Sequence, residues 1–246
     1  ELTLQADVSA QRLSVRRALF RDLDRRVADS AGRSPTKAMG SFQQKALDLL
    51  TSPETQQAFQ INREPEKVRD SYGRNIYGQS VLLARRLIEA GTRVVTVSWA
   101  PDANATWDTH GSNFVSLKKT LLPQLDAACS SLIEDLAARG MLERTIVAVM
   151  GDFGRTPRIN AANAGRDHWN WCYSLQLFGG GFKQGLIYGS SDTIGAFPAS
   201  NALEPGDIVS TMYHQLGIRH DGEIHDAFGR PFRLVPKGDV VDDLIV

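Results

Sequence analysis

One pattern constrains the fold more than any other feature of this chain. A β-branched run, Arg93-Val94-Val95-Thr96-Val97-Ser98-Trp99, is followed by a polar loop from Ala100 to Ser112. A long amphipathic stretch comes next, with Phe114, Leu117, Leu121, Leu125, Ala128, Leu132, Ile133 and Leu136 at helical spacing and Gly140 as its stop. A second run, Thr145-Ile146-Val147-Ala148-Val149-Met150, follows. Strand, loop, helix, strand is a βαβ unit, and such units predict a largely parallel sheet with helices on its faces. Pro123 sits early in the helix and is expected to kink it.

Further segments extend this α/β reading. Val81, Leu82, Leu83, Leu87 and Ile88 predict a helix stopped by Gly91, and Ile208, Met212 and Leu216 predict another over Gly206 to Leu216. Tyr173 to Phe178 and Gly185 to Tyr188 read as strands. The first 70 or so residues read as helical and polar. Ser9 is the expected N-cap of a helix with Leu13, Leu19, Phe20 and Leu23 on one face and charges of both signs elsewhere. Gly32 to Pro35 breaks the pattern, and Phe42, Ala46, Leu49 and Leu50 suggest a second helix stopped near Pro53. The expected organisation is one α/β domain over residues 1–246, with a helical segment over 1–75 packed on a core over 76–246.

Composition excludes several classes. The 246 residues suffice for a full core. With 28 basic and 28 acidic residues the formal charge is zero, which argues against a nucleic-acid partner. No apolar run approaches the roughly 20 residues of a membrane span. Two cysteines, Cys129 and Cys172, exclude a disulfide scaffold and a four-thiolate zinc site.

Ligands of open α/β sheets bind beyond the carboxyl ends of parallel strands. Three loops qualify here: Trp107 to Asn113 with Asp108 and His110, Gly151 to Pro157 with Asp152 and Arg155, and Gly165 to Trp169 with Arg166, Asp167 and His168. Carboxylates and imidazoles that converge are what a divalent metal needs. Asp108, His110, Asp152 and His168 are the candidate ligands, with Asp167 a weaker one. Arg155, Arg166 and Asn113 are candidates to hold an anionic substrate. Structural alternatives stand beside each: Asp152 as a turn cap, Asp167 as an ion-pair partner of arginine, His168 as a core histidine beside Trp169. Gly179-Gly180-Gly181 lacks a nucleotide fingerprint and reads as a turn, and no Walker or nucleophile-elbow pattern occurs. His214, His220 and His225 lack a strand-edge setting. Cys129 reads as a small buried hydrophobe, and Asn104-Ala105-Thr106 is a chance sequon.

The runs WDTHGSNF (107–114), LLPQLD (121–126), VMGDFGRTPRIN (149–160) and GRDHW (165–169) resemble the bacterial family called domain of unknown function 1501. So do YGQSVLLARRLIEAG (77–91), GGG (179–181) and the closing GRP (229–231). That family is similar to the alkaline phosphatase and sulfatase superfamily. The resemblance implies an alkaline-phosphatase-like fold, one or two divalent ions (zinc, calcium, magnesium or manganese) and a phosphoester or sulfoester substrate, small or polymeric. It matches Asp108 and His110 to one ligand pair and His168 to a later ligand. The superfamily's second metal uses an Asp-His pair, but Phe153 follows Asp152 here, and relatives usually carry Glu at position 152. The superfamily's nucleophile belongs to an N-terminal part, with an export signal and a first strand, that would precede Glu1. The expectation is thus the C-terminal part of a periplasmic or extracellular hydrolase, or else of an inactive relative that binds an anionic ligand or partner.

Overall fold

The computed structural model describes residues 52–99 and 107–246, with scattered positions between 9 and 22. The chain divides into two compact units, Glu1–Ser98 and Trp99–Val246. The helical first unit thus extends beyond the expected boundary at residue 75.

In the first unit the Ser9 hydroxyl accepts from the Arg12 amide at 3.1 Å, the N-cap that the sequence predicts. Positions 11, 12, 14–16, 18, 19 and 22 are helical. The expectations for Leu13, Phe20, Leu23, Gly32 to Pro35, Phe42, Ala46, Leu49 and Leu50 lie outside the described residues, as does the sequon. Pro53 begins a helix where the sequence suggested a stop. It occupies the first turn of α1 (Pro53–Ala58), and Ser52 Oγ caps that turn by accepting from Thr55 N. Proline suits this position, because its missing N–H would have no partner there. Next come α2 (Glu66–Ser71) and α3 (Ile76–Glu89). Asn75 Oδ1 caps α3 by accepting from Tyr77 N and Gly78 N at 3.1 and 3.0 Å. Gly91, at φ +94°, ends it as predicted. Leu82 and the guanidinium of Arg85 are fully buried, with Arg85 paired to Glu64 at 3.0 Å and Glu89 at 2.7 Å. A buried guanidinium needs such partners to offset its lost hydration.

The expected strand over Arg93 to Trp99 does not form. Residues 94–98 carry no strand pairing, and Val94 is 76% exposed. Gly185 to Tyr188 is also not a strand, and Ile187 is 91% exposed. Valine and isoleucine raise strand propensity but name no partner, and without a partner the ladder cannot close.

The second unit begins its regular structure with one long helical stretch, α4 (Asn113–Ser116), a π segment (Leu117–Leu121) and α5 (Leu122–Ala138). Pro123 accounts for the π segment. It has no N–H for the carbonyl four residues back, and its ring crowds that carbonyl, so the ladder widens just ahead of it. Gly140, at φ +63°, follows the helix end as predicted. Strand β1 (Val147–Val149) lies within the predicted run. It pairs antiparallel with β4 (Gln176–Phe178), with Val147 opposite Phe178. Gly179, Gly180 and Gly181 then turn the chain, all three at positive φ. Between these strands β2 (Gly154–Arg155) pairs antiparallel with β3 (His168–Trp169). Two further antiparallel pairs follow, β5 (Ser190–Ser191) with β6 (Pro198–Ser200) and β7 (Glu223–His225) with β8 (Pro231–Arg233). Helix α6 (Pro205–Gln215) has a Glu204–Asp207 capping box. The core gathers on Phe182, Ile208 and Leu244, against which Ile146, Leu177 and Met212 pack.

Every strand pair among the described residues is antiparallel. The expected parallel sheet is not among them, and an alkaline-phosphatase-like fold stays an expectation from the resemblance. Among the described residues no helix is long and apolar enough to cross a membrane.

Candidate metal centre

Three backbone seams bring the predicted loops together. The β2–β3 ladder sets Gly154 opposite Trp169 and Arg155 opposite His168. The loop before α4 is tied to the next one: Arg166 N donates to Thr109 O at 3.2 Å, Ser112 N to Asn163 O at 2.8 Å and Asn113 N to Ala164 O at 3.0 Å. These last two bonds satisfy N–H groups at the helix start, a task usually left to a capping side chain. Gly165 sits where the strands of chain touch. A Cβ there would lie 1.7 Å from the carbonyl oxygen of His110, so only glycine fits.

Upon this scaffold Asp108, His110 and His168 converge. His110 Nε2 lies 3.1 Å from Asp108 Oδ1, His168 Nε2 lies 3.1 Å from the same oxygen, and the two Nε2 atoms are 3.2 Å apart. All three side chains are about half exposed, at 45%, 45% and 51%. Three lone-pair atoms this close repel unless a proton or cation sits among them. A tetrahedral ion with ligand distances of about 2.0–2.1 Å holds its ligand atoms about 3.3 Å apart, close to the observed triangle. Because all three side chains are about half exposed, an ion held by them would keep coordination positions open to water or a ligand. Two imidazoles and one carboxylate suit zinc or a similar first-row ion better than calcium, which prefers six to eight oxygens at about 2.3–2.6 Å. The residues present therefore fit such an ion.

The neighbours orient these ligands. His110 Nδ1 lies 3.0 Å from Asp167 Oδ1, so with its proton there the ring would present the Nε2 lone pair to an ion at the centre. Asn160 Nδ2 donates to the same carboxylate oxygen at 3.2 Å. Asp167 thus serves as the outer partner of His110, the role found beside most metal-bound imidazoles. The hydrogen bonds from His110 and Asn160 hold its carboxyl below the usual range, and those from Arg155 and His168 do the same for Asp108. The Phe153 ring packs on the His168 ring at 4.2 Å between centroids.

The other predicted residues fall elsewhere. Asp152 is exposed and stands outside the cluster of three. Asp152 and Phe153 form a bend just ahead of β2, and Phe153, not Asp152, turns its side chain onto His168. Arg155 directs its terminal nitrogens to Arg166 O at 3.2 Å, Trp107 O at 2.7 Å and Asp108 Oδ1 at 2.9 Å. Arg166 returns the exchange, donating to Thr156 O at 2.6 Å and Arg155 O at 3.2 Å. The two guanidiniums lace the loops together, with three donor contacts from Arg155 and two from Arg166 going to carbonyls and Asp108. Asn113 is 1% exposed and donates to the Thr109 hydroxyl beneath the loop, so it supports the site from below. Asn160 and Phe153 escaped the sequence reading; Asn160 lay within a quoted motif, but nothing marked it as a partner of Asp167.

A family model described as Protein of unknown function (DUF1501) matches residues 1–245. The chain belongs to this family. Searches of curated proteins and of solved structures give no match. The match takes in all three loops that bring Asp108, His110 and His168 together. Of the metal ligands that the resemblance implies, Asp108, His110 and His168 meet.

Proposed function

We propose that this DUF1501 protein is the C-terminal part of a metal-dependent hydrolase of phosphoesters or sulfoesters. The observation that carries the reading is the triangle of Asp108 Oδ1, His110 Nε2 and His168 Nε2, at 3.1–3.2 Å on an exposed surface. Structural zinc sites are closed by four protein ligands, whereas catalytic ones keep a position for water or substrate. A divalent ion held here would supply Lewis acidity and activate water. The chain's own groups do the rest. Asp167 holds His110 in the ligating tautomer, Arg155 fixes Asp108, and Phe153 walls one side of His168 against water. By the resemblance the nucleophile lies upstream of these residues and the protein works in the periplasm or outside the cell.

A second reading, an inactive relative that binds an anionic ligand, is favoured by Phe153, which stands against His168 where the superfamily places a further histidine. Hydrolysis of aryl phosphates and aryl sulfates separates the two. Turnover that chelation and His168→Ala both abolish supports the hydrolase. Zinc bound at one per chain without turnover of either ester type supports the binding protein.

A further inference from the structure

An anionic ester needs a cation beyond the metal, and the two arginines first assigned to it are committed elsewhere. A third arginine is not. Arg158 is exposed and makes no side-chain hydrogen bond or ion pair among the described residues. It lines an open cavity of about 470 Å³ together with Thr156, Asn160, Asn163 and Asp167. The cavity shares a wall with the metal centre, because Asp167 lines it and also holds His110.

The polar inventory of this cavity is specific. The Thr156 hydroxyl is used twice, accepting from Asp167 N at 3.0 Å and donating to Arg158 O at 2.9 Å. Asp167 Oδ1 takes both His110 and Asn160, while the carboxylate keeps its charge, so an anionic group is placed at the Arg158 end of the cavity, away from Asp167. Asn160 spends its amide nitrogen on Asp167 and keeps its oxygen. Asn163 spends its oxygen on Gly165 N at 3.0 Å and keeps its nitrogen. The Arg158 guanidinium, the Asn163 amide N–H groups, the second N–H of Asn160, the Asn160 amide oxygen and Asp167 Oδ2 remain to face a ligand. A guanidinium beside an amide N–H receives a carboxylate or a second phosphate or sulfate, and an amide oxygen receives a hydroxyl.

We propose that Arg158 is a specificity-determining residue. It receives a second anionic group on the polar carrier of an ester whose scissile group lies at the metal centre. This rests on the hydrolase reading above. The substrate class it names is an ester with a second negative charge, in preference to an ester of a neutral carrier.

The test compares phenyl phosphate and phenyl sulfate with their 3- and 4-carboxyphenyl counterparts, on the zinc-loaded full-length protein, taken as wild type, and its Arg158→Ala and Arg158→Lys variants. An exposed guanidinium paired with a carboxylate predicts a preference of about 2–5-fold in kcat/KM for a carboxylated ester, expressed in KM. That ratio falls toward one in Arg158→Ala and is partly kept in Arg158→Lys, with zinc stoichiometry equal in all three. Equal kcat/KM for charged and neutral carriers in wild type, or a ratio untouched by Arg158→Ala, overturns the assignment and leaves the hydrolase reading standing. If wild type turns over no ester, the hydrolase reading fails by itself. Calorimetric binding of the same esters then decides the cavity: a carboxylate preference lost in Arg158→Ala supports it, and no preference overturns it.

Discussion

At the scale of residues, the centre depends on which atom each side chain keeps free. On the metal reading, His110 would offer Nε2 to an ion while Asp167 takes its other nitrogen. Asp167→Asn is therefore expected to weaken zinc binding about 10–100-fold by calorimetry, while His110→Ala removes it. The carboxylates also set an acid limit. Asp108 and Asp167 are both held below the usual range, Asp108 by Arg155 and His168 and Asp167 by His110 and Asn160. A depressed carboxyl stabilises the fold fully above its unfolded value, about 3.9, and that contribution is lost as pH falls through the lower folded value. Tryptophan fluorescence from Trp107 and Trp169 should accordingly hold steady down to about pH 4 and change below it. In Asp108→Asn that acid transition should shrink. Legibility differed from residue to residue. Asp108, His110 and His168 were picked from sequence on an expected strand-end setting; the strand over 93–99 does not form, and their loops meet instead through the β2–β3 ladder and the bonds at Thr109, Asn163 and Ala164. The roles of Arg155 and Arg166 could not be read from it, since a guanidinium bound to backbone carbonyls has the same sequence signature as one awaiting an anion.

At the scale of elements, helices were legible and strand partners were not. Apolar residues at helical spacing located the helices over 76–89, 113–138 and 205–215, because a helix closes its hydrogen bonds within its own segment. A strand closes them with a partner that the sequence does not name. Thus Thr145 to Met150 was found, but its antiparallel partner over 176–178 was not foreseen, and Arg93 to Trp99 carries the composition of a strand without the ladder. The element that matters most to function is the short β2–β3 ladder with the seam through Gly165. Gly165→Ala drives a methyl into the carbonyl of His110, and the backbone must move apart. Loss of zinc binding and a lower melting temperature are the expected outcome, whereas Ala164→Gly, at φ +54°, should keep both. A Gly165→Ala protein that binds zinc as wild type does would show that the seam does not position His110.

For the whole molecule, an ion bound by the native state and not by the unfolded chain raises stability by mass action. Zinc at about 100 times its dissociation constant adds about 2.7 kcal/mol. Differential scanning calorimetry should show that gain in wild type and lose it in His168→Ala. Zero formal charge averages over a surface where two carboxylates, two histidines and two arginines meet within three loops. The central claim is that these loops form one metal centre, and X-ray absorption spectroscopy of the zinc-loaded protein tests it most directly. The account predicts one zinc per chain with two imidazole nitrogens and a carboxylate oxygen at about 2.0–2.2 Å, a signature lost in His168→Ala. A zinc shell without two imidazoles, or one unchanged by His168→Ala, would contradict it.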